Sequence, residues 1–272
     1  MILKNFFGFS LENDIVENLK QKDWLLSNAY EILKNKVNLV ARLPIPLNGQ
    51  IKNIVIKNYG WRNKLSKILS PWTRSRAEKA YDASVKLLKN GVSVPFPLSV
   101  YTFRKLGQVK ENFLITEDVP KNKMSREIFQ SDEYSQDIKH TIVKKIAEMV
   151  AKLHKSNFIH RDLTRGNFLV QNYHDPANLK ITLIDLNRVR ELPVMTMLAR
   201  IQDISKLNLC KCNQEYMHED CLWDTFFKNY INWNIIHERK LIKIILAKNR
   251  VVSNFKKKIN KFSRKNNNIP QK

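Results

Sequence analysis

The run His160-Arg161-Asp162-Leu163-Thr164-Arg165-Gly166-Asn167 puts an aspartate and an asparagine five residues apart in one loop. That pair can do two jobs at once. The Asp162 carboxylate can take the proton of an attacking hydroxyl and align it, and the Asn167 carbonyl oxygen can hold a metal ion. Eighteen residues further on, Ile184-Asp185-Leu186-Asn187 closes an apolar run. An aspartate at such a strand end can chelate the Mg²⁺ that bridges the phosphates of ATP. The chemistry this set suits is phosphoryl transfer, with His160, Arg161 and Asp162 as the catalytic group and Asn167 and Asp185 as metal ligands. Singly each piece is weak, since His-Arg-Asp recurs by chance and Asp185 alone is explained as a strand-end cap. Their order, behind a helix ending Leu153-His154, carries the reading.

The elements that must hold these residues can be read from periodicity. Ile138, Ile142, Ile146, Met149, Val150 and Leu153 repeat at three- and four-residue spacing, which predicts an amphipathic helix over 137–155. Two short strands follow, Phe168 to Val170 and Ile181 to Ile184. Upstream, residues 1–23 read as a small helical lead-in. Trp24 to Tyr59 reads as strands, separated by turns at Lys34-Asn35-Lys36 and at Pro44 to Gln50. Arg76 to Lys89 reads as a helix ended by Asn90-Gly91. Val100–Phe103 and Phe113–Thr116 read as a hairpin around Gly107. From Thr196 onward the pattern is mostly helical.

This order resembles the protein-kinase-like superfamily, and within it the bacterial lipopolysaccharide kinases that phosphorylate Kdo or heptose sugars of the lipid A–core. The resemblance runs from about Tyr30 to Tyr230. It rests on the catalytic loop and on Leu183-Ile184-Asp185-Leu186-Asn187-Arg188. Looser matches are Val55-Ile56-Lys57 with Tyr59, Ser75-Arg76-Ala77, Gly91 with Val94-Pro95, and Leu114-Ile115-Thr116-Glu117. It implies an α+β, protein-kinase-like two-lobed fold: a small β-rich lobe with one main helix over 24–116, a mainly α-helical lobe over 117–253, and a basic tail over 254–272. It also implies ATP and Mg²⁺ as cofactors and a cytoplasmic enzyme, peripheral on the inner face of the inner membrane.

By the same resemblance, Lys57 contacts the α/β-phosphates, and a helix carboxylate orients it. Glu78 is the choice for that role, with Asp82 one turn further on. Thr116 is the gatekeeper, and backbone groups of Glu117 and Val119 meet the adenine edge. The chain also departs from protein kinases. No Gly-x-Gly-x-x-Gly loop is present; Lys34 and Lys36 lie where it belongs, and their ammonium groups can replace backbone amides as phosphate partners. Asn187 stands at the glycine of Asp-Phe-Gly, Thr164 replaces a basic residue, and no Ala-Pro-Glu segment follows. These departures suit a small-molecule or glycolipid kinase better than a regulated protein kinase.

The formal net charge of +23 on 272 residues favours anionic partners. They include a glycolipid acceptor and an acidic membrane surface. A genome-wide bias toward Lys, Asn and Ile would produce the same excess. Three cysteines give no disulfide framework. Three sulfurs and an imidazole at Cys210, Cys212, His218 and Cys221 could bind zinc, though the spacing fits no common zinc module; the other reading is partly buried thiols on helices. Ile235 to Val252 is apolar and basic together, which suits either a last packed helix or one lying on an acidic bilayer. Asp203 is placed to brace the catalytic loop, or is an exposed helix acid.

Three functions compete. The first is ATP-dependent phosphorylation of an inner-core Kdo or heptose hydroxyl. The second is a Ser/Thr protein kinase-like or other small-molecule kinase using the same residues. The third is a non-enzymatic basic module. Nucleic acid is disfavoured, since the chain offers charge but no recognised binding motif.

Overall fold

The computed structural model describes residues 2–5, 11, 13–47, 50–61, 67, 69–209 and 221–230. Cys210, Cys212, His218, the Ile235–Val252 stretch and the basic tail lie outside the described residues.

The described elements begin with β1 (Ile2–Asn5), α1 (Asn13–Leu19), α2 (Lys22–Asn28), β2 (Glu31–Asn35), β3 (Asn38–Leu47) and β4 (Gln50–Tyr59). Then come α3 (Arg76–Lys89), β5 (Pro97–Lys105) and β6 (Gln108–Glu117). The second half holds β7 (Asn122–Met124), α4 (Ser125–Gln130), α5 (Gln136–Lys155), β8 (Phe158–Ile159), β9 (Phe168–Gln171) and β10 (Lys180–Leu183). It closes with β11 (Arg190–Glu191), α6 (Met197–Ile204) and α7 (Leu222–Asn229). This is the α+β kinase-like arrangement, a β-rich region followed by a mainly helical one.

The upper region is a six-stranded antiparallel sheet in the order β1-β5-β6-β4-β3-β2. Alternation along β4 sends Ile54 and Ile56 to one buried face. Leu39, Leu43, Phe113 and Ile115 join them there, under Val16, Leu19 and Leu25 of α1 and α2. The opposite face carries α3, whose Ala77, Ala80 and Tyr81 pack on Tyr59, Val100 and Leu114. Asn112 fixes that helix to the sheet: its Nδ2 donates to the Tyr59 carbonyl at 3.1 Å and its Oδ1 accepts from the Ala77 amide at 3.1 Å. Ser75 caps the helix, and Gly91, at φ +70°, lets the chain turn away after it.

Three local readings from sequence need correction. Lys22–Asn28, including Trp24, is a helix rather than the start of the strands. The lead-in also contains a strand, since β1 pairs with β5 from Ile2↔Thr102 to Asn5↔Ser99. Pro44 to Gln50 is not a long turn either: β3 runs to Leu47 and β4 starts at Gln50. Prolines lack the N–H a central strand needs. Here β2 stops pairing at Arg42, so Pro44 and Pro46 lie where β3 is an edge.

In the lower region α5 is the central element. Ser135 caps it, and Ile142, Val143, Ile146, Ala147, Val150 and Leu153 are buried. They meet Phe168, Val170 and Leu183 of the small β10-β9-β7 sheet and Phe226 of α7. Burying each such side chain contributes about 1.5–3 kcal/mol, so this core is a rigid base for the loops above it.

Candidate active site

A cleft of about 830 Å³ opens between the upper sheet and the lower region. That is the size of a nucleotide-scale pocket. Lys34, Lys36, Lys57, Thr116, Glu117, Val119, Asn167 and Asp185 all line it. Positions up to 151 residues apart in the chain are thus brought to one cavity.

Lys57 sits on β4 with its Nζ 5.0 Å from the Tyr59 ring centre. It donates to Asp185 Oδ1 at 2.7 Å. Asp185 follows β10 in the left-handed region, at φ +63°, which turns its carboxylate away from the strand direction. Burial pushes that carboxyl up, but the charge and hydrogen bond of Lys57 outweigh it, helped by Lys34. The group therefore lies below the ordinary aspartate range. Asn187 Nδ2 donates to the same oxygen, Oδ1. Among the described residues, Asp185 Oδ2 takes no protein donor.

The catalytic loop is held from beneath. Asp203, on α6, is buried to 2% exposure. Its Oδ2 accepts the His160 amide and its Oδ1 the Arg161 amide, both at 2.7 Å. His154 Nε2 reaches Oδ2 at 3.3 Å, and the Tyr230 hydroxyl is 2.6 Å from His154 Nδ1. These contacts fix Arg161 at φ +63°, a conformation costly for an L-residue. Of the two readings of Asp203, the brace is the one the structure shows.

The His160 ring is buried, and its Nε2–H donates to the Ile184 carbonyl at 3.0 Å. Burial pulls its pKa below the ordinary histidine value. The ring thus ties the loop to the strand before Asp185 as a neutral group. Asn167 Nδ2 donates to the Asp162 carbonyl at 2.7 Å, which leaves its Oδ1 for another partner. Asp162 Oδ2 lies 3.4 Å from an Arg188 guanidinium nitrogen.

Glu78 is not brought to Lys57. Its carboxylate closes the capping box of α3 on the Ser75 amide at 2.9 Å and lies 3.7 Å from Arg104. Asp82 pairs with Lys4 and Arg74. The face of α3 toward the cleft carries Ala80 and Ser84 instead. Among the described residues, a carboxylate that Lys57 does reach is that of Asp185.

At the back wall, the Glu117 amide is taken by the Phe96 carbonyl at 3.0 Å and the Asp118 amide by the Asn53 carbonyl at 3.3 Å. The Val119 amide has no acceptor among the described residues. Asp118 itself accepts from Arg42 Nε at 2.9 Å and from the Tyr30 hydroxyl at 3.3 Å. Sequence reasoning missed this link between the β2–β3 arm and the back wall, because neither residue belongs to a motif.

The sequence from 49 to 230 matches the model of the Lipopolysaccharide kinase (Kdo/WaaP) family. The chain belongs to that family. The match takes in β4, α3, the back wall, the catalytic loop and Asp185. A member of the Kdo/WaaP family is a kinase, which sets aside the non-enzymatic reading. Among solved structures, one described as WaaP in complex with acyl carrier protein matches with a TM-score of 0.64 at 15% identity. The match covers 92% of this chain and 98% of that one. At that identity the likeness supports the fold, and it is the fold of the Kdo/WaaP kinase. No helix among the described residues is long and apolar enough to cross a membrane.

Proposed function

We propose that this chain transfers the γ-phosphoryl of ATP to a Kdo or heptose hydroxyl of the lipopolysaccharide inner core. The observation that carries the reading is the convergence of Lys57, Asn167 and Asp185 on one cleft, beside a braced Asp162, in a chain of the Kdo/WaaP family.

The adenine edge meets the back wall, accepting from the Val119 amide and donating to the Glu117 carbonyl, beside Thr116. Lys34, Lys36 and Lys57 supply positive charge along the phosphates. Asn167 Oδ1 and Asp185 Oδ2 are hard oxygens in the same cleft that take no donor among the described residues, the donor type that Mg²⁺ takes. When bound there, Mg²⁺ neutralises charge on the β- and γ-phosphates. Asp162 orients the acceptor hydroxyl and takes its proton as the phosphoryl group leaves the nucleotide. Asp203 and His160 are positioning residues that hold Asp162 in place.

The enzyme would work at the inner face of the inner membrane without spanning it. The test is transfer from labelled ATP, with Mg²⁺, to lipid A–core acceptors carrying or lacking Kdo and heptose. Asp162→Ala runs beside the wild type. Since the solved WaaP is in complex with acyl carrier protein, the assay is run with and without one. Transfer that the variant loses, confined to acceptors with one sugar, identifies that sugar. Wild-type transfer to none of them, with ATP bound, refutes the acceptor assignment.

A further inference from the structure

The segment from Arg188 to Lys206 is bonded to the catalytic loop at both ends. At its start, Arg190 pairs with Ile159 in the β8–β11 ladder. The Leu192 amide then donates to the Asn157 carbonyl at 2.8 Å, and the Met195 amide to Asn157 Oδ1 at 3.1 Å. At its end, Asp203 holds the His160 and Arg161 amides, and Lys206 Nζ donates to the Arg161 carbonyl at 2.7 Å. Any surface on this segment is therefore set at a fixed place beside Asp162.

Its side chains divide by direction. Met195, Ile201 and Ile204 are buried beneath the loop. Val194, Met197 and Leu198 point outward and are 70%, 45% and 55% exposed. Three large apolar side chains are thus exposed within five residues of an anchored segment. The exposed charge on the segment is mostly basic. Arg190 and Lys206 are exposed, and Arg188, 45% exposed, lies 3.4 Å from Asp162. The one exposed acid between residues 186 and 206 is Glu191, and Lys86 neutralises it.

We propose that this face lies on an anionic bilayer, with Val194, Met197 and Leu198 entering the headgroup boundary and the arginines meeting phosphates, so that an embedded acceptor reaches Asp162. Exposed apolar side chains on a basic segment suit that boundary, where one group seeks acyl chains and the other anions. The proposal rests on the glycolipid reading of the acceptor, since a soluble acceptor needs no such face.

The test uses the full chain with Val194→Ser, Met197→Ser and Leu198→Ser combined. These positions are exposed, so unchanged circular dichroism and melting temperature should confirm folding. Flotation with vesicles of phosphatidylethanolamine and phosphatidylglycerol should show binding weakened by at least about tenfold. With acceptor embedded in the same vesicles, KM should rise by roughly the same factor. With the deacylated core saccharide in solution, kcat and KM should match the wild type.

Vesicle binding equal to wild type overturns the proposal. So does an equal loss on embedded and deacylated acceptors, which would place the three side chains in the chemistry. A wild-type dimer that the variant splits, with vesicle binding intact, assigns the face to a second copy and also overturns it. If the wild type phosphorylates neither acceptor, the glycolipid reading fails, and flotation alone still decides whether this face meets lipid.

Discussion

Lys57 Nζ donates directly to Asp185 Oδ1 across the cleft, at 2.7 Å. One bond therefore joins β4 to the strand end that carries the second metal-type oxygen. Both side chains are largely shielded, at 18% and 23% exposure, so removing either one takes a strong charge-assisted bond from the cleft. Asp185→Asn should bind ATP but lower transfer by at least about 100-fold. Lys57→Met should lower it less and raise the KM for ATP. Steady-state kinetics with nucleotide binding by calorimetry separates the two. Normal turnover in Asp185→Asn would sink the proposed mechanism.

Asp203 holds two amides of the catalytic loop. Asp203→Ala leaves those amides and His154 without their shared acceptor, and should cost about 3–5 kcal/mol of stability. Asp203→Asn keeps one carbonyl oxygen and should fold better. Its kcat should fall while the KM for ATP holds, because Asp162 is misplaced and the nucleotide wall is untouched. Urea denaturation beside kinetics tests both halves.

The depressed pKa values of Asp185 and Asp203 fix the sign of the acid response. A carboxyl with a folded pKa below its unfolded one binds fewer protons when folded. Its stabilisation is present above the unfolded value and is lost as pH falls through the folded one. His160 adds to the loss at a higher pH. Its folded pKa lies below its unfolded value, so stability declines as pH drops from the ordinary histidine value toward the folded one. Melting temperature should therefore fall in two stages on acidification. Asp203→Asn should flatten the lower stage, and an unchanged profile in that variant would contradict the assignment.

The Glu78 carboxylate closes the cap of α3 on the Ser75 amide, while Lys57 bonds Asp185. Glu78→Ala should cost about 1–2 kcal/mol through the lost capping box, while transfer per folded molecule stays near wild type. A collapse of activity at constant fold would restore Glu78 to the phosphate site.

Gly60 follows β4 against the Val37 carbonyl, and a Cβ there would collide with that oxygen. Gly60→Ala must push the β2–β3 turn aside, at a cost of about 1–3 kcal/mol. Because Lys34 and Lys36 flank that turn, the KM for ATP should rise as well. Thermal melts and nucleotide titration check this.

The catalytic loop could be read from the chain because its chemistry is local: Asp162 and Asn167 share one loop, and Asp185 ends the second strand after it. The helices over 76–89 and 136–155 could be read because each buries one stripe. The partner of Lys57 could not. Residues two apart on a helix lie about 200° around it, so choosing Glu78 over position 80 chooses the opposite face. Only the packing of Ala77 and Tyr81 on the sheet settles which face meets the cleft. Pro44 and Pro46 misled for a similar reason, since an edge is a property of neighbours and not of the strand. Four residues of β1 carry too little pattern to announce a strand at all.

The pairing of Ile2 with Thr102 also bears on how the protein is made. Synthesis proceeds at about 5–20 residues per second, so β1 emerges several seconds before β5 exists to receive it. The strand must wait unpaired through the making of three other strands and three helices. That edge of the upper sheet therefore depends on a pairing between residues 100 apart in the chain, Ile2 and Thr102.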